Sequence, residues 1–152
     1  MSPDRALLDA GAVRLGLTAE DKADALRQCG AVLVEIGAAT EHYAAALHER
    51  EKSVSTYVGE GVAIPHGTNE SREHIARAAL AVLQFPDGVD WDGQEVTVCV
   101  AIASKTEEHV DILSSLARVL MDPAKAEALR GATSADDVLD LLSPRTTEES
   151  PI

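Results

Sequence analysis

Residues 96–103 read VTVCVAIA, and this stretch from Val96 to Ala103 carries the strongest indication of the fold. Its β-branched residues favour a strand, and its nearly unbroken apolar character is typical of a strand covered on both faces. A shorter apolar run, Val62-Ala63-Ile64, ends at Pro65, so a turn is expected just past a second strand. The two segments therefore predict strands in the interior of a sheet.

Segments with helical spacing lie on both sides of these strands. Thr18 and Asp21 resemble a capping box ahead of one helix, and Thr40 is expected to cap a second helix that ends near Lys52. Further helices are predicted behind Thr106, from Asp122-Pro123, and from Ser134 to Leu142. An edge strand is expected within Ala12–Leu17, and an apolar segment, Ala76–Phe85, is expected to end in a Pro86-Asp87-Gly88 turn. Alternating strands and helices around one hairpin predict an α/β sandwich on a mixed sheet.

The composition limits the classes of function. The 152 residues fit one domain, 45% of them are hydrophobic, and the formal net charge is −13. General nucleic-acid binding needs a basic surface, so this acidic balance argues against it. The charge either favours a partner with a positive docking face or serves solubility alone. No apolar run reaches the roughly 20 residues of a membrane span and no signal peptide is visible, so a cytoplasmic location is expected.

The candidate nucleophile is His66, within the run TYVGEGVAIPHGTNE from Thr56 to Glu70. It follows the carboxyl end of a predicted strand, where binding crevices of open α/β sheets form. A neutral imidazole nitrogen suits phosphoryl capture, because histidine can form a covalent intermediate that divides one transfer into two. Gly67 would allow close approach of a bulky group, and Thr68 offers a hydroxyl. The alternative is a polar Pro-His-Gly turn without chemistry.

Three further side chains could complete such a site. His109 shares the buried face of the helix predicted behind Thr106, whose N-terminus favours a phosphoryl group; the alternative is a core histidine bonded to a carbonyl. Arg50 ends the second helix on its apolar face, where it could hold phosphate oxygens or could extend to solvent. Glu60 could hold Arg50 in place, or it could be an ordinary exposed acid.

No cofactor and no metal are expected. The sequence contains no GxxxxGK[ST], HExxH, CxxC or GxSxG motif, which argues against a P-loop, a standard zinc site and a serine hydrolase. Phosphoryl transfer relies on positioning and on neutralising the phosphoryl oxygens. His66, His109 and Arg50 would provide both without a metal. A zinc site built from His66, His74 and His109 is the alternative.

Three segments resemble the mannitol/fructose-type enzyme IIA of the bacterial phosphoenolpyruvate-dependent sugar phosphotransferase system. They are Glu49–Thr68 (EREKSVSTYVGEGVAIPHGT), Glu108–Leu120 (EHVDILSSLARVL) and Thr133–Leu142 (TSADDVLDLL). The Phe85-Pro86-Asp87-Gly88-Val89 turn and the Glu108-His109 pair are more similar to the mannitol branch. The resemblance makes residues 1–142 one enzyme IIA domain, and residues 143–152 are expected to be a disordered tail.

The resemblance implies a fold and a set of roles. The fold would be a mixed, mainly parallel five-stranded sheet flanked by helices on both faces. His66 matches the histidine that is phosphorylated on the ring nitrogen remote from the backbone, and His109 matches a histidine that hydrogen-bonds the phosphoryl group. Arg50 and Glu60 match a charged pair beside the site. The histidine phosphocarrier protein would be the donor, and a cysteine on the enzyme IIB domain of the mannitol permease would be the acceptor.

Two other functions stay open on the same fold. One is a regulatory binding protein of the nitrogen type, and the other is a fructose-specific enzyme IIA. The chain is also expected to be a free enzyme IIA rather than part of a permease.

Overall fold

The computed structural model describes residues 8–68, 70–104, 114 and 116–142. Its sheet contains β1 Val13–Arg14, β2 Tyr57–Gly59, β3 Val62–Ala63, β4 Ala79–Trp91 and β5 Gln94–Ala103, in the order β1-β4-β5-β3-β2. The pairs β1–β4 and β3–β5 are parallel, whereas β2–β3 and β4–β5 are antiparallel. The mixed five-stranded sheet that the resemblance implied is confirmed.

Four helices are assigned within the described residues: α1 Lys22–Glu35, α2 Glu41–Ser53, α3 Pro123–Arg130 and α4 Ala135–Leu142. Residues 116–120 are helical as well. The cap of α1 differs from the expected one, because the Asp21 carboxylate, rather than Thr18, accepts the hydrogen bond from the Asp24 N–H at 2.9 Å. The Asp122 carboxylate caps α3 in the same way, so an acidic side chain begins both helices.

The predicted interior strand is the centre of the core. Every residue of β5 from Val98 to Ala103 is fully buried, as expected of a strand that is covered on both faces. α1 packs on β4 and β5, and α4 packs on β1. Within the described residues, none of the helices combines the length and the apolar character needed to cross a membrane.

The expected turn at Pro86-Asp87-Gly88 is wrong. β4 continues through these residues to Trp91, and its pairing with β5 changes register between Gln84 and Val89. An irregularity inside a strand accommodates proline and glycine without reversing the chain. The reversal occurs at Asp92-Gly93, where φ is 57° and 96°, because a tight hairpin turn requires positive φ.

The parallel pairing of β3 with β5 positions the candidate site. Val62 pairs with Val98 and Ala63 with Cys99, so the segments that follow these two strands leave the sheet at the same edge. The segment after β3 begins with Ile64. The first part of the helix predicted behind Thr106 and the tail at 143–152 lie outside the described residues.

Candidate functional site

His66 lies just past the carboxyl end of β3. The Pro65 carbonyl accepts a hydrogen bond from the Ile102 N–H at 2.9 Å, so the chain stays beside β5 up to this point. The imidazole is half-buried, and its Nδ1 lies 2.9 Å from the Ile64 carbonyl oxygen. A carbonyl oxygen only accepts, so Nδ1 carries the proton and the lone pair of the neutral ring is on Nε2.

The surroundings of His66 favour the neutral ring. Burial is the main cause that lowers the pKa of His66 from its ordinary value of 6.5, and the Arg50 and Arg72 guanidinium groups lower it further. The hydrogen bond to the Ile64 carbonyl and the Glu51 carboxylate oppose this shift. A ring that is neutral at pH 7 is the form in which a nitrogen can act as a nucleophile.

Tyr43 anchors the turn that follows His66. Its buried hydroxyl donates to the Ile102 carbonyl at 2.7 Å and accepts from the Gly67 N–H at 3.0 Å. Burial raises the pKa of Tyr43, so the hydroxyl keeps the proton that it donates. A Cβ on Gly67 would lie 2.6 Å from both Tyr43 Cε1 and Ser71 Oγ. The close approach at Gly67 is therefore to the protein's own side chains, and it leaves room for glycine alone.

Thr68 precedes the short 3-10 helix Glu70–His74 and is hydrogen-bonded to its residue Ser71. The Ser71 N–H donates to Thr68 Oγ1 at 3.3 Å, and Ser71 Oγ donates to the Thr68 carbonyl at 2.7 Å. This helix carries Arg72, whose positive charge lowers the pKa of both His66 and Tyr43. The sequence analysis missed Arg72, because a charged residue in a short polar segment has no periodicity that would assign it to a site.

Arg50 and Glu60 lie at different places. Arg50 Nη1 donates to the Val54 carbonyl at 2.6 Å, and its charge acts on His66. Glu60 lies in the turn that precedes β3, at the other end of the strand from His66. There the Arg130 guanidinium donates to the Glu60 carbonyl at 2.6 Å and to its carboxylate at 3.4 Å. The expected pair of Arg50 with Glu60 is therefore wrong, because the ion-pair partner of Glu60 is Arg130.

Three other histidines bear on the predicted site: His109, His74 and His42. His109 lies outside the described residues, so its predicted role stays a prediction. The His74 ring stacks on His42 with a centroid distance of 4.8 Å. Across the part of the chain that the structure describes, no group of three or more His, Cys, Asp and Glu side chains is arranged to hold a metal ion.

A buried carboxylate lies next to Arg50 on α2. Glu51 is only 5% exposed, and it accepts hydrogen bonds from Thr56 Oγ1 at 2.6 Å, the Thr56 N–H at 3.1 Å and Trp91 Nε1 at 2.9 Å. Lys22 Nζ lies 3.6 Å from the same carboxylate. The sequence analysis missed Glu51, because an acid in a charged helix end is usually solvent-exposed.

Replacing Tyr43 by Phe tests the anchor of the His66 turn. The variant removes one hydroxyl and leaves the Ile102 carbonyl and the Gly67 N–H without their buried partner, so we expect a loss of about 1–3 kcal/mol in the free energy of unfolding. Urea denaturation measures this loss. The matched control is Tyr57→Phe, since the Tyr57 hydroxyl accepts from the Gly61 N–H at the long distance of 3.4 Å. Equal stability of the two variants would contradict the anchoring role.

Comparison with known proteins gives consistent results. The family model described as "Phosphoenolpyruvate-dependent sugar phosphotransferase system, EIIA 2" matches residues 6–144. The mannitol-specific phosphotransferase enzyme IIA component of Halalkalibacterium halodurans is 40% identical over 136 residues, which are 90% of this chain and 94% of that protein. The multiphosphoryl transfer protein of Escherichia coli O157:H7 is 42% identical over 128 residues, 84% of this chain, and the match spans only 34% of that longer protein.

The fold is also similar to a solved structure. The mannitol enzyme IIA of Escherichia coli, determined in complex with phosphorylated enzyme IIB, superposes with a TM-score of 0.82 and 34% identity. The match covers 90% of this chain and 98% of that one.

Proposed function

Because the chain belongs to the EIIA 2 family of the phosphoenolpyruvate-dependent sugar phosphotransferase system and is a phosphotransferase component, we propose that it carries phosphoryl groups on Nε2 of His66 during mannitol uptake. The observation that supports this most directly is the 2.9 Å hydrogen bond between His66 Nδ1 and the Ile64 carbonyl. It holds the ring in the tautomer whose lone pair is on Nε2. The mannitol specificity follows from relatives of that name at 40% identity.

The proposed transfer consists of two displacements. In the first, the His66 Nε2 lone pair attacks the phosphorus of the phosphorylated histidine phosphocarrier protein. The new N–P bond forms as the donor's N–P bond breaks, and that electron pair returns to the donor imidazole. In the second, a cysteine thiolate of enzyme IIB attacks the phosphorus, an S–P bond forms, and the pair of the broken bond returns to Nε2. A phosphorylated enzyme IIB accompanies the similar enzyme IIA from Escherichia coli, which supports this acceptor.

Two arginines whose charges act on His66 suit the negative charge that phosphoryl transfer places there. The phosphoryl group brings negative oxygens to a half-buried ring, and fixed guanidinium groups stabilise such charge. Arg50 is held by the Val54 carbonyl at the end of α2, and Arg72 is carried by the helix that Thr68 and Ser71 brace. In the proposed function both stabilise the phosphorylated state, and His109 hydrogen-bonds the phosphoryl group.

The function is tested by mixing the chain with phosphoenolpyruvate, enzyme I and the phosphocarrier, and then adding separate enzyme IIB domains. We expect the intact mass to increase by one acid-labile phosphoryl group, and we expect a mannitol-type enzyme IIB to remove it. Removal by a fructose-type domain alone would transfer the assignment to the fructose branch. A stable phosphoryl group that neither domain removes would favour the regulatory alternative. No added mass would refute the carrier function.

Replacing Arg72 by Gln tests the arginine that the sequence analysis missed. We expect phosphoryl acceptance to slow about tenfold or more, as the loss of one fixed positive donor does. The pKa of His66 should rise, because one of the charges that lower it is removed. Stopped reactions with labelled phosphoenolpyruvate measure the rate, and NMR titration of the ring proton measures the pKa. Arg27→Gln is the matched control, since that exposed arginine pairs with Asp24 on α1. A wild-type rate and titration for Arg72→Gln would exclude the role.

A further inference from the structure

A chain of hydrogen bonds joins the buried Glu51 carboxylate to the His66 ring. Glu51 accepts from Thr56 Oγ1 at 2.6 Å and from the Thr56 N–H at 3.1 Å. The Thr56 carbonyl accepts from the Ile64 N–H at 3.0 Å. The Ile64 carbonyl then accepts from His66 Nδ1 at 2.9 Å. The His66 ring is thus connected to the Glu51 carboxylate through Thr56 and Ile64. Each of these two residues donates one hydrogen bond through its N–H and accepts one through its carbonyl.

The same carboxylate braces the segment that holds Arg50. Arg50 Nη1 donates to the Val54 carbonyl, and Thr56, two residues further on, is 97% removed from solvent and bound to Glu51. Val54 itself is 63% exposed, so its own side chain does not bury the segment. The contact between Glu51 and Thr56 therefore ties this segment to the interior, together with the hydrogen bond from the Ile64 N–H to the Thr56 carbonyl.

Charged groups from several elements face this network. Lys22 on α1 approaches Glu51 at 3.6 Å, and it also pairs with Asp92 at 2.7 Å. The charges of Arg50 on α2 and Arg72 on the short helix lower the pKa of His66, and the Glu51 carboxylate opposes them. Since a buried charge is screened little, Glu51 acts on His66 even without touching it.

We propose that Glu51 is a positioning residue of the phosphoryl-transfer site, which orients the His66 ring through Thr56 and Ile64 and keeps the Arg50 anchor in place. This inference rests on the proposed function, because it assigns Glu51 a part in phosphoryl acceptance. A full negative charge is suited to this position, since four donors converge on it from α1, β4 and the loop after α2: Lys22, the Trp91 indole, and the Thr56 N–H and hydroxyl. A neutral amide at the same place would turn an N–H₂ group toward one of these donors.

Three variants separate positioning from simple stability. Glu51→Gln removes the charge and disturbs the whole network. Thr56→Val removes the shorter of the two hydrogen bonds between Thr56 and Glu51, keeps the one from the Thr56 N–H, and leaves the charge in place. Trp91→Phe is the matched control, because it removes one hydrogen bond to the same carboxylate and leaves both Thr56 hydrogen bonds in place. Each variant is measured for phosphoryl acceptance from the phosphocarrier, for the NMR titration of His66, and for unfolding in urea.

We expect Glu51→Gln to slow acceptance between about 10- and 100-fold, as small misplacements of reacting groups do. Its His66 titration should move to lower pH, because the negative charge of Glu51 raises the pKa of the ring and is removed. Thr56→Val should also slow acceptance while its His66 titration stays near that of the wild type. Trp91→Phe should lose stability and keep the wild-type rate.

Other outcomes decide against the inference. A folded Glu51→Gln protein with the wild-type rate would overturn it, and so would equal slowing in Trp91→Phe. If Glu51→Gln does not fold, Thr56→Val decides alone, and a wild-type rate for that variant would overturn the inference. The proposed function fails differently, because the wild-type chain itself would then accept no phosphoryl group.

Discussion

His66→Ala is expected to accept no phosphoryl group, whereas the unmodified chain accepts one. The variant removes Nε2. This nitrogen carries the lone pair, because Nδ1 holds the proton that it donates to the Ile64 carbonyl. Arg50 and Arg72 can stabilise a phosphoryl group near them, but neither offers a neutral nitrogen nucleophile at pH 7, since arginine stays protonated. The loss should therefore be complete rather than partial. Intact mass after incubation with phosphoenolpyruvate, enzyme I and the phosphocarrier measures it directly.

Two controls make the result specific to His66. His48→Ala, on α2, should still gain one acid-labile phosphoryl group, because His48 lies in a groove between α1 and α2 and not at the sheet edge. The free energy of unfolding of His66→Ala should stay within about 1 kcal/mol of the wild type, the usual effect of replacing a half-buried side chain. A phosphoryl group that persists on His66→Ala would show that another residue is the acceptor.

Gly67→Ala is expected to damage both stability and transfer. The added methyl group would lie 2.6 Å from Tyr43 Cε1 and from Ser71 Oγ, and Tyr43 cannot retreat without breaking its hydrogen bond to the Ile102 carbonyl. Such overpacking costs roughly 1–3 kcal/mol, which corresponds to a melting temperature lower by several degrees for a domain of this size. Because the displaced turn carries His66, acceptance should also slow by up to about 100-fold. Thermal unfolding and the transfer assay measure the two effects.

Gly11→Ala is the matched control for this substitution. Apart from Gly11 and its chain neighbours, no heavy atom of the described residues lies within 4 Å of an ideal Cβ on Gly11, so the variant should unfold and accept phosphate as the wild type does. Equal stability of Gly67→Ala and Gly11→Ala would mean that the turn has more room than the described geometry allows. A stable but slow Gly67→Ala would assign the role of this glycine to transfer alone.

The strands and helices that are determined by patterns within a few residues were predictable from the sequence. The apolar run at 96–103 is an interior strand, and Asp122-Pro123 begins a helix where the capping pattern placed it. His66 follows β3 because Pro65 cannot continue the ladder, and the parallel partner β5 brings this point to a sheet edge. Burial patterns, caps and proline act over a few residues, so a single sequence contains the information for them.

Only the tertiary structure decided which side chains meet. Glu60 pairs with Arg130, 70 residues away, and not with Arg50, while Pro86 lies inside β4 because β5 pairs with residues on both sides of it. Glu51 is buried because Lys22, Thr56 and Trp91 converge on it from separate elements. Local spacing determines the face of an element on which a residue lies. The partner on that face depends on how distant segments pack, which a single sequence does not encode in any local pattern.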